Sequence, residues 1–191
     1  MSSLKLTLKA WPVIAAATIG LCYLTQTVAK SFGIELPDQA NIEIVKRYAG
    51  WNKTFILLCA QILVLMPAIE ELIFRFLLFR LPLRWFGKCE DPDIDSVTPE
   101  NRTAYIIAVM VDAAATAWAT AFLAMLSSAL FSAAHYLFQP WPDAAFIALF
   151  FFGLAQCWLY KKTGHLWCAI LNHGLFNLTN LVLLFILPEA T

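Results

Sequence analysis

The sequence predicts an all-α protein, a polytopic transmembrane helix bundle of about five spans with a polar site inside the bundle. Of its 191 residues, 61% are hydrophobic and only 14% are charged, whereas soluble domains average about 45–50% and about 25%. Several apolar runs are long enough to cross a bilayer. One run contains Glu70, Glu71 and Arg75. Because an ionisable group at bilayer depth costs at least about 2.5–3.5 kcal/mol, these three indicate a functional site.

The first predicted span covers residues 10–29. Lys5 and Lys9 precede it, which is typical of a signal-anchor, and no small-residue cleavage pattern follows. Residues 33–53 mix charged and apolar residues, which suits an interfacial helix and a solvated loop equally. We therefore divide the chain into an N-terminal part, residues 1–53, with the anchor span and an amphipathic connector, and a core, residues 54–191.

The second span, residues 54–79, carries the charged triplet and has Pro67 in its interior. A proline there removes a backbone hydrogen bond and predicts a kink just before the carboxylates. Residues 89–101 are acidic and broken by proline, which predicts a loop outside the membrane.

Residues 102–138 form one helical pattern that, at about 1.5 Å per residue, exceeds the hydrocarbon thickness. We expect Asp112 to divide this pattern and residues 116–138 to be the true span. Residues 144–160 and 165–187 are the last two spans, joined by a short turn at Gly164.

The distribution of Lys and Arg favours a cytoplasmic N-terminus. The compactness of the chain favours the inner membrane of a prokaryotic cell, with the lipid bilayer as its surroundings. The formal net charge is zero and no basic run is present, so nothing indicates a nucleic-acid partner.

Polar groups on three spans are expected to meet inside the bundle. His173 and Asn177 are four positions apart and share one helix face, and Glu71 and Arg75 are spaced in the same way and can form an ion pair. Glu70 lies about 100° around its helix from Glu71 and is free for another partner. We expect Glu70 to converge with the polar groups of the other spans, namely His135, His173 and Asn177.

This set has coherent chemistry, with alternatives that the residues alone leave open. A carboxylate beside a histidine can take a proton from water, and an imidazole and an amide can donate to an oxyanion. Glu70, His135 and His173 equally match the zinc set of many metallopeptidases. Either histidine alone is better interpreted as an interior residue that is hydrogen-bonded to a carbonyl. A haem bundle with both histidines as axial ligands is a third interpretation.

Three motifs occur in order on successive predicted spans: Glu70-Glu71-x-x-x-Arg75, Phe131-x-x-x-His135 and His173-x-x-x-Asn177. Together they resemble the CAAX protease and bacteriocin-processing family, which includes the Ras-converting CAAX endopeptidase and the bacterial Abi proteins. The resemblance covers roughly residues 54–187. One departure is Phe76, which stands where the family usually has glycine.

The resemblance implies an intramembrane endopeptidase that acts on a membrane-associated peptide or protein. Glu70 and His135 would activate water, and His173 and Asn177 would stabilise the oxyanion. Supporting roles would fall to Glu71, Arg75 and Phe131. The family resemblance favours a glutamate-dependent mechanism with no cofactor, with zinc as the alternative. A non-catalytic membrane protein of the same fold, with an immunity or scaffolding role, is the alternative function.

Overall fold

The structure, a computed structural model, describes residues 2–36, 45–50, 52–86, 98, 102–137 and 145–186. Over these residues the protein is all-α and contains no strand, as predicted. The long helices are α1 (Ser3–Ser31), α2 (a continuous helix from Lys53 to Phe86), α3 (Arg102–Ala134), α4 (Ala145–Thr163) and α5 (Leu166–Ile186). The acidic loop predicted over residues 89–101 lies outside the described residues apart from Thr98, and so do residues 37–44 of the connector.

Helices α1, α2, α3 and α5 are long and apolar enough to cross a membrane. Helix α4 is shorter, ends in Lys161 and Lys162, and packs against α1, α3 and α5. Large apolar side chains cover the outside of the bundle, with Val13, Trp118 and Ile186 each 69–77% exposed. Since lipid tails are as apolar as these side chains, such a surface fits a bilayer. The predicted polytopic membrane bundle is therefore confirmed.

Helix α2 alternates between two hydrogen-bond registers. Its segments are α-helical Lys53–Ala60, π-helical Gln61–Leu65, α-helical Met66–Glu71, π-helical Leu72–Arg80 and α-helical Leu81–Phe86. Pro67 lies at the start of the middle α-helical segment but in the interior of the continuous helix, so α2 lacks one backbone hydrogen bond there. Both glutamates are therefore held between two π-helical segments, a feature that is frequent at functional sites.

Helix α3 is continuous through Asp112, as the single helical pattern predicts; the limits of its membrane-spanning part stay a prediction. Its first half is rich in alanine and lacks proline and glycine, so local propensity carries the helix through. Its described buried residues all lie in the second half: Leu123, Ser127, Ser128, Phe131 and Ser132. At about 1.5 Å per residue the helix is longer than the hydrocarbon core, and its first half overhangs the packed bundle. This overhang lets His135, in the 3₁₀ turn His135–Leu137, lie level with the interior of the bundle.

The remaining contacts close the bundle around α4 and α5. Gly164 has φ 73°, and its N–H donates to the Tyr160 carbonyl at 2.8 Å, a left-handed helix cap that glycine favours. This short turn makes α4 and α5 antiparallel neighbours. Helix α1 packs against both, and Trp11 Nε1 donates to Thr179 Oγ1 at 3.2 Å.

Helices α3 and α4 approach closely at Gly153, which gives a stability prediction. A Cβ atom there would lie 2.8 Å from Ser128 Cβ and 3.0 Å from Ser128 Cα. Gly153→Ala is expected to destabilise the protein by about 1–3 kcal/mol because the helices must move apart. Thermal unfolding in detergent measures the effect.

Gly20→Ala is the matched control, since a Cβ atom on Gly20 in α1 would have no neighbour within 4 Å. We expect it to be neutral or to stabilise by up to about 1 kcal/mol, because alanine has the higher helix propensity. Equal unfolding temperatures for the two variants would contradict the close approach.

Candidate active site

The predicted ion pair within α2 is present and completely buried. Arg75 Nε lies 3.2 Å from Glu71 Oε2, and both side chains are 0% exposed. The geometry is that of an electrostatic contact, since neither atom has a hydrogen-bond partner among the described residues. The Arg75 guanidinium instead lies over the Phe131 ring, 4.5 Å from its centroid, where the face of the ring attracts a cation.

His173 on α5 contacts both glutamates of α2. Its Nδ1 is 2.9 Å from Glu71 Oε1, and its Nε2 is 3.5 Å from Glu70 Oε2. Because an ionised carboxylate only accepts hydrogen bonds, Nδ1 carries a proton and donates to Glu71. The longer contact between Nε2 and Glu70 Oε2 is a charged pair only when the imidazole is protonated. The Glu70 side chain is 20% exposed and that of His173 only 5%, so Glu70 is the accessible member of this pair.

His135 adjoins this cluster through Phe131. Its Nδ1 is 2.9 Å from the Phe131 carbonyl oxygen, which only accepts, so Nδ1 donates and the neutral ring keeps Nε2 as an acceptor. The Phe131 ring lies 4.7 Å from the His135 ring and 5.8 Å from the His173 ring, centroid to centroid. His135 forms no ion pair with either glutamate of the described helix α2, and its shared role with Glu70 stays a prediction.

Asn177 makes a contact that the sequence did not indicate. Its Nδ2 donates to the Ile62 carbonyl on α2 at 2.9 Å. The Asn177 amide, one turn after His173 on α5, is therefore hydrogen-bonded to the backbone of α2. The oxyanion role that the family resemblance implies for Asn177 stays a prediction.

The zinc alternative would need Glu70, His135 and His173 to converge on one position. In both histidines Nδ1 is the hydrogen-bonded nitrogen, to the Phe131 carbonyl and to Glu71, as is common in zinc ligands, and the Phe131 ring contacts both imidazoles. Within the part of the chain that the structure describes, no group of three or more His, Cys, Asp or Glu side chains is arranged to hold a metal ion.

Sequence reasoning missed a buried polar link behind His173. Asn172 Nδ2 donates to Gln156 Oε1 at 3.1 Å, and Gln156 Nε2 donates to the Ala169 carbonyl at 3.3 Å. Both side chains are completely buried. This link ties α4 to the turn of α5 that carries His173. A polar amide inside the Phe-rich run of α4 was the signal that could have found it.

Removal of the buried cation gives a second prediction. Arg75→Met would leave the Glu71 carboxylate buried without its cation, and we expect a loss of about 3–5 kcal/mol. Adding Glu71→Gln should recover part of this loss, because the uncompensated charge is then removed. Unfolding in detergent measures both variants.

Arg84→Met, at an exposed position near the end of α2, is the control and is expected to stay within about 0.5 kcal/mol of the wild type. A loss for Arg75→Met no greater than that of Arg84→Met would contradict the buried pair.

Comparison with known proteins places this geometry in a family. Residues 52–179, well over half of the chain, match the family described as type II CAAX prenyl endopeptidase Rce1-like. No curated protein and no solved structure shows a significant match to the chain. The matched region contains both glutamates, Arg75, both histidines of the cluster and Asn177. The chain therefore belongs to the Rce1-like family of type II CAAX prenyl endopeptidases, a family of membrane peptidases.

Proposed function

We propose that this protein is an intramembrane endopeptidase that cleaves a prenylated CAAX-type C-terminus by a glutamate-dependent, metal-free mechanism. The observation that carries the proposal is the Glu70–His173 pair, with Glu70 Oε2 3.5 Å from Nε2 and the Glu70 side chain partly exposed. The family match supports the peptidase activity, and its description names the prenyl CAAX substrate class.

In the reactive state the imidazolium of His173 holds the proton on Nε2 and Glu70 is ionised. Glu70 accepts a proton from a water molecule, whose oxygen attacks the scissile carbonyl carbon. The Nε2–H of His173 donates to the oxyanion that forms. The protonated Glu70 then gives its proton to the leaving amine nitrogen as the C–N bond breaks, which returns the site to its starting charge.

The second glutamate supports this state without touching the substrate. Glu71 accepts the Nδ1–H of His173 at 2.9 Å, which fixes the orientation of the ring and stabilises the imidazolium. Arg75 in turn compensates the charge of Glu71. A carboxylate that orients a catalytic histidine in this way is a recurrent feature of hydrolase sites.

His135 offers a second acceptor near the reacting water. With Nδ1 bonded to the Phe131 carbonyl, its Nε2 can accept the hydrogen of the water that Glu70 does not take. This assigns His135 the orientation of water and leaves the proton transfer to Glu70.

The basic residues at one end of the bundle favour a cytoplasmic position for that end and for the N-terminus. Leu83 near the end of α2 packs in one cluster with Tyr160 of α4 and Leu166 of α5. The exposed Lys161, Lys162 and Arg84 therefore lie at one end of the bundle. Basic residues of this kind favour the cytoplasmic side, where a membrane-anchored substrate presents its C-terminus.

The proposal predicts that Glu70→Gln abolishes cleavage in a folded protein. The probe is a farnesylated peptide ending in a CAAX sequence, with a quenched fluorophore pair, added to proteoliposomes. General base catalysis is typically worth about 10²–10⁴-fold, so the rate should fall by that factor. Unfolding temperature in detergent should stay near that of the wild type, because Glu70 is partly exposed.

Glu35→Gln is the matched control, since Glu35 lies outside the family match and its variant should retain full activity. The same peptide without the farnesyl group tests the substrate class. Full cleavage by Glu70→Gln would rule out the mechanism, whereas no cleavage by the wild type would favour a non-catalytic role for the protein.

A further prediction concerns metal. Because the two histidines do not converge with Glu70 on one metal position, dialysis against EDTA and then phenanthroline should leave the cleavage rate within about twofold. Metal analysis of the same sample accompanies the assay. Loss of activity on chelation, with recovery on added zinc, would favour the zinc mechanism.

A further inference from the structure

The Ile62 carbonyl of α2 lacks both of the regular donors that its own helix would provide. In the π-helical segment the N–H of Met66 donates to the Gln61 carbonyl, five residues back. It is therefore not available to Ile62, its ordinary α-helical acceptor. The next residue, Pro67, has no N–H to offer. The change of register and the proline together leave the Ile62 carbonyl without an intrahelical partner.

Asn177 supplies the missing donor from another helix. Its Nδ2 lies 2.9 Å from the Ile62 carbonyl oxygen. The approach is close, since a Cβ atom on Gly174 would lie 2.5 Å from the adjacent Leu63 carbonyl oxygen. In a bilayer an unsatisfied carbonyl costs several kcal/mol, so this contact holds α5 tightly against α2.

The contact lies beside the catalytic pair on both helices. Asn177 is one turn after His173 on the same face of α5, and Pro67 precedes Glu70 by about one turn of α2. Whatever fixes Asn177 against Ile62 therefore fixes the separation of His173 from the two glutamates.

We propose that Asn177 is a positioning residue whose amide replaces the N–H that Pro67 lacks, and that Pro67 and Asn177 act as one unit to set the Glu70–His173 distance. This role replaces the oxyanion contact that the family resemblance implies for Asn177. The activity part of its test depends on the proposed peptidase function, whereas the unfolding part does not.

The test is a double-mutant cycle with Pro67→Ala, Asn177→Ala and the double variant. Proteoliposomes and the farnesylated CAAX peptide give kcat and KM, and detergent samples give unfolding temperatures. Asn177→Ala should lower kcat at least tenfold at nearly unchanged KM, because a small misplacement of a catalytic group costs up to about 10²-fold. In the Pro67→Ala background the new N–H can serve α2, so the loss in kcat and in unfolding temperature should shrink at least threefold.

Equal losses in both backgrounds, in kcat and in unfolding temperature, would overturn the proposal and favour direct oxyanion contact. Asn177→Leu, which keeps the approximate size but has no donor, should behave like Asn177→Ala, and full activity in it would also overturn the proposal. Asn180→Ala, at an exposed position of α5, is the control. Its effects on kcat and on unfolding temperature should be the same with proline and with alanine at position 67. If the wild type does not cleave the peptide, the proposed function fails and the unfolding cycle alone decides the role of Asn177.

Discussion

The buried carboxylate of Glu71 is the interaction on which the site depends. Its two oxygens face different partners, Oε2 toward Arg75 on its own helix and Oε1 toward His173 on α5. A buried charge that loses its partner is strongly destabilising, so this pair of contacts fixes both the orientation of the imidazole and the packing of α2 against α5. Glu70 can remain partly exposed because the neighbouring glutamate makes the structural contacts.

The helices can make these contacts because they approach one another closely. Small residues and the change of hydrogen-bond register in α2 allow this approach. Gly153 of α4 leaves room for Ser128 of α3, and Gly174 of α5 leaves room for the Leu63 carbonyl of α2. Membrane helices gain little from burying apolar side chains, because lipid is equally apolar, so close packing and interhelical hydrogen bonds drive their association. The π-helical turn before Pro67 then adds a carbonyl that only a neighbouring helix can satisfy.

The sequence predicted those features that follow from local spacing. Four-residue spacing gave the Glu71–Arg75 pair, and the cost of charge in apolar runs located the site. Spacing on an ideal helix also suggested that Glu70 and Glu71 face different partners. In the structure both face the imidazole of His173, Glu70 at Nε2 and Glu71 at Nδ1. The Asn177–Ile62 bond could not be predicted, because it depends on the register of α2. The single helical pattern of residues 102–138 predicted a continuous α3, because a helix rich in alanine needs no break where it leaves the bundle.

Phe131 lies among the charged and basic groups of the site. Its ring contacts both imidazoles by their edges and presents a face to the Arg75 guanidinium, while its carbonyl holds Nδ1 of His135. The ring thus keeps the histidines apart and replaces hydrogen bonds that Nη1 and Nη2 of Arg75 lack among the described residues. An aromatic residue one turn before His135 therefore has a physical reason in this site.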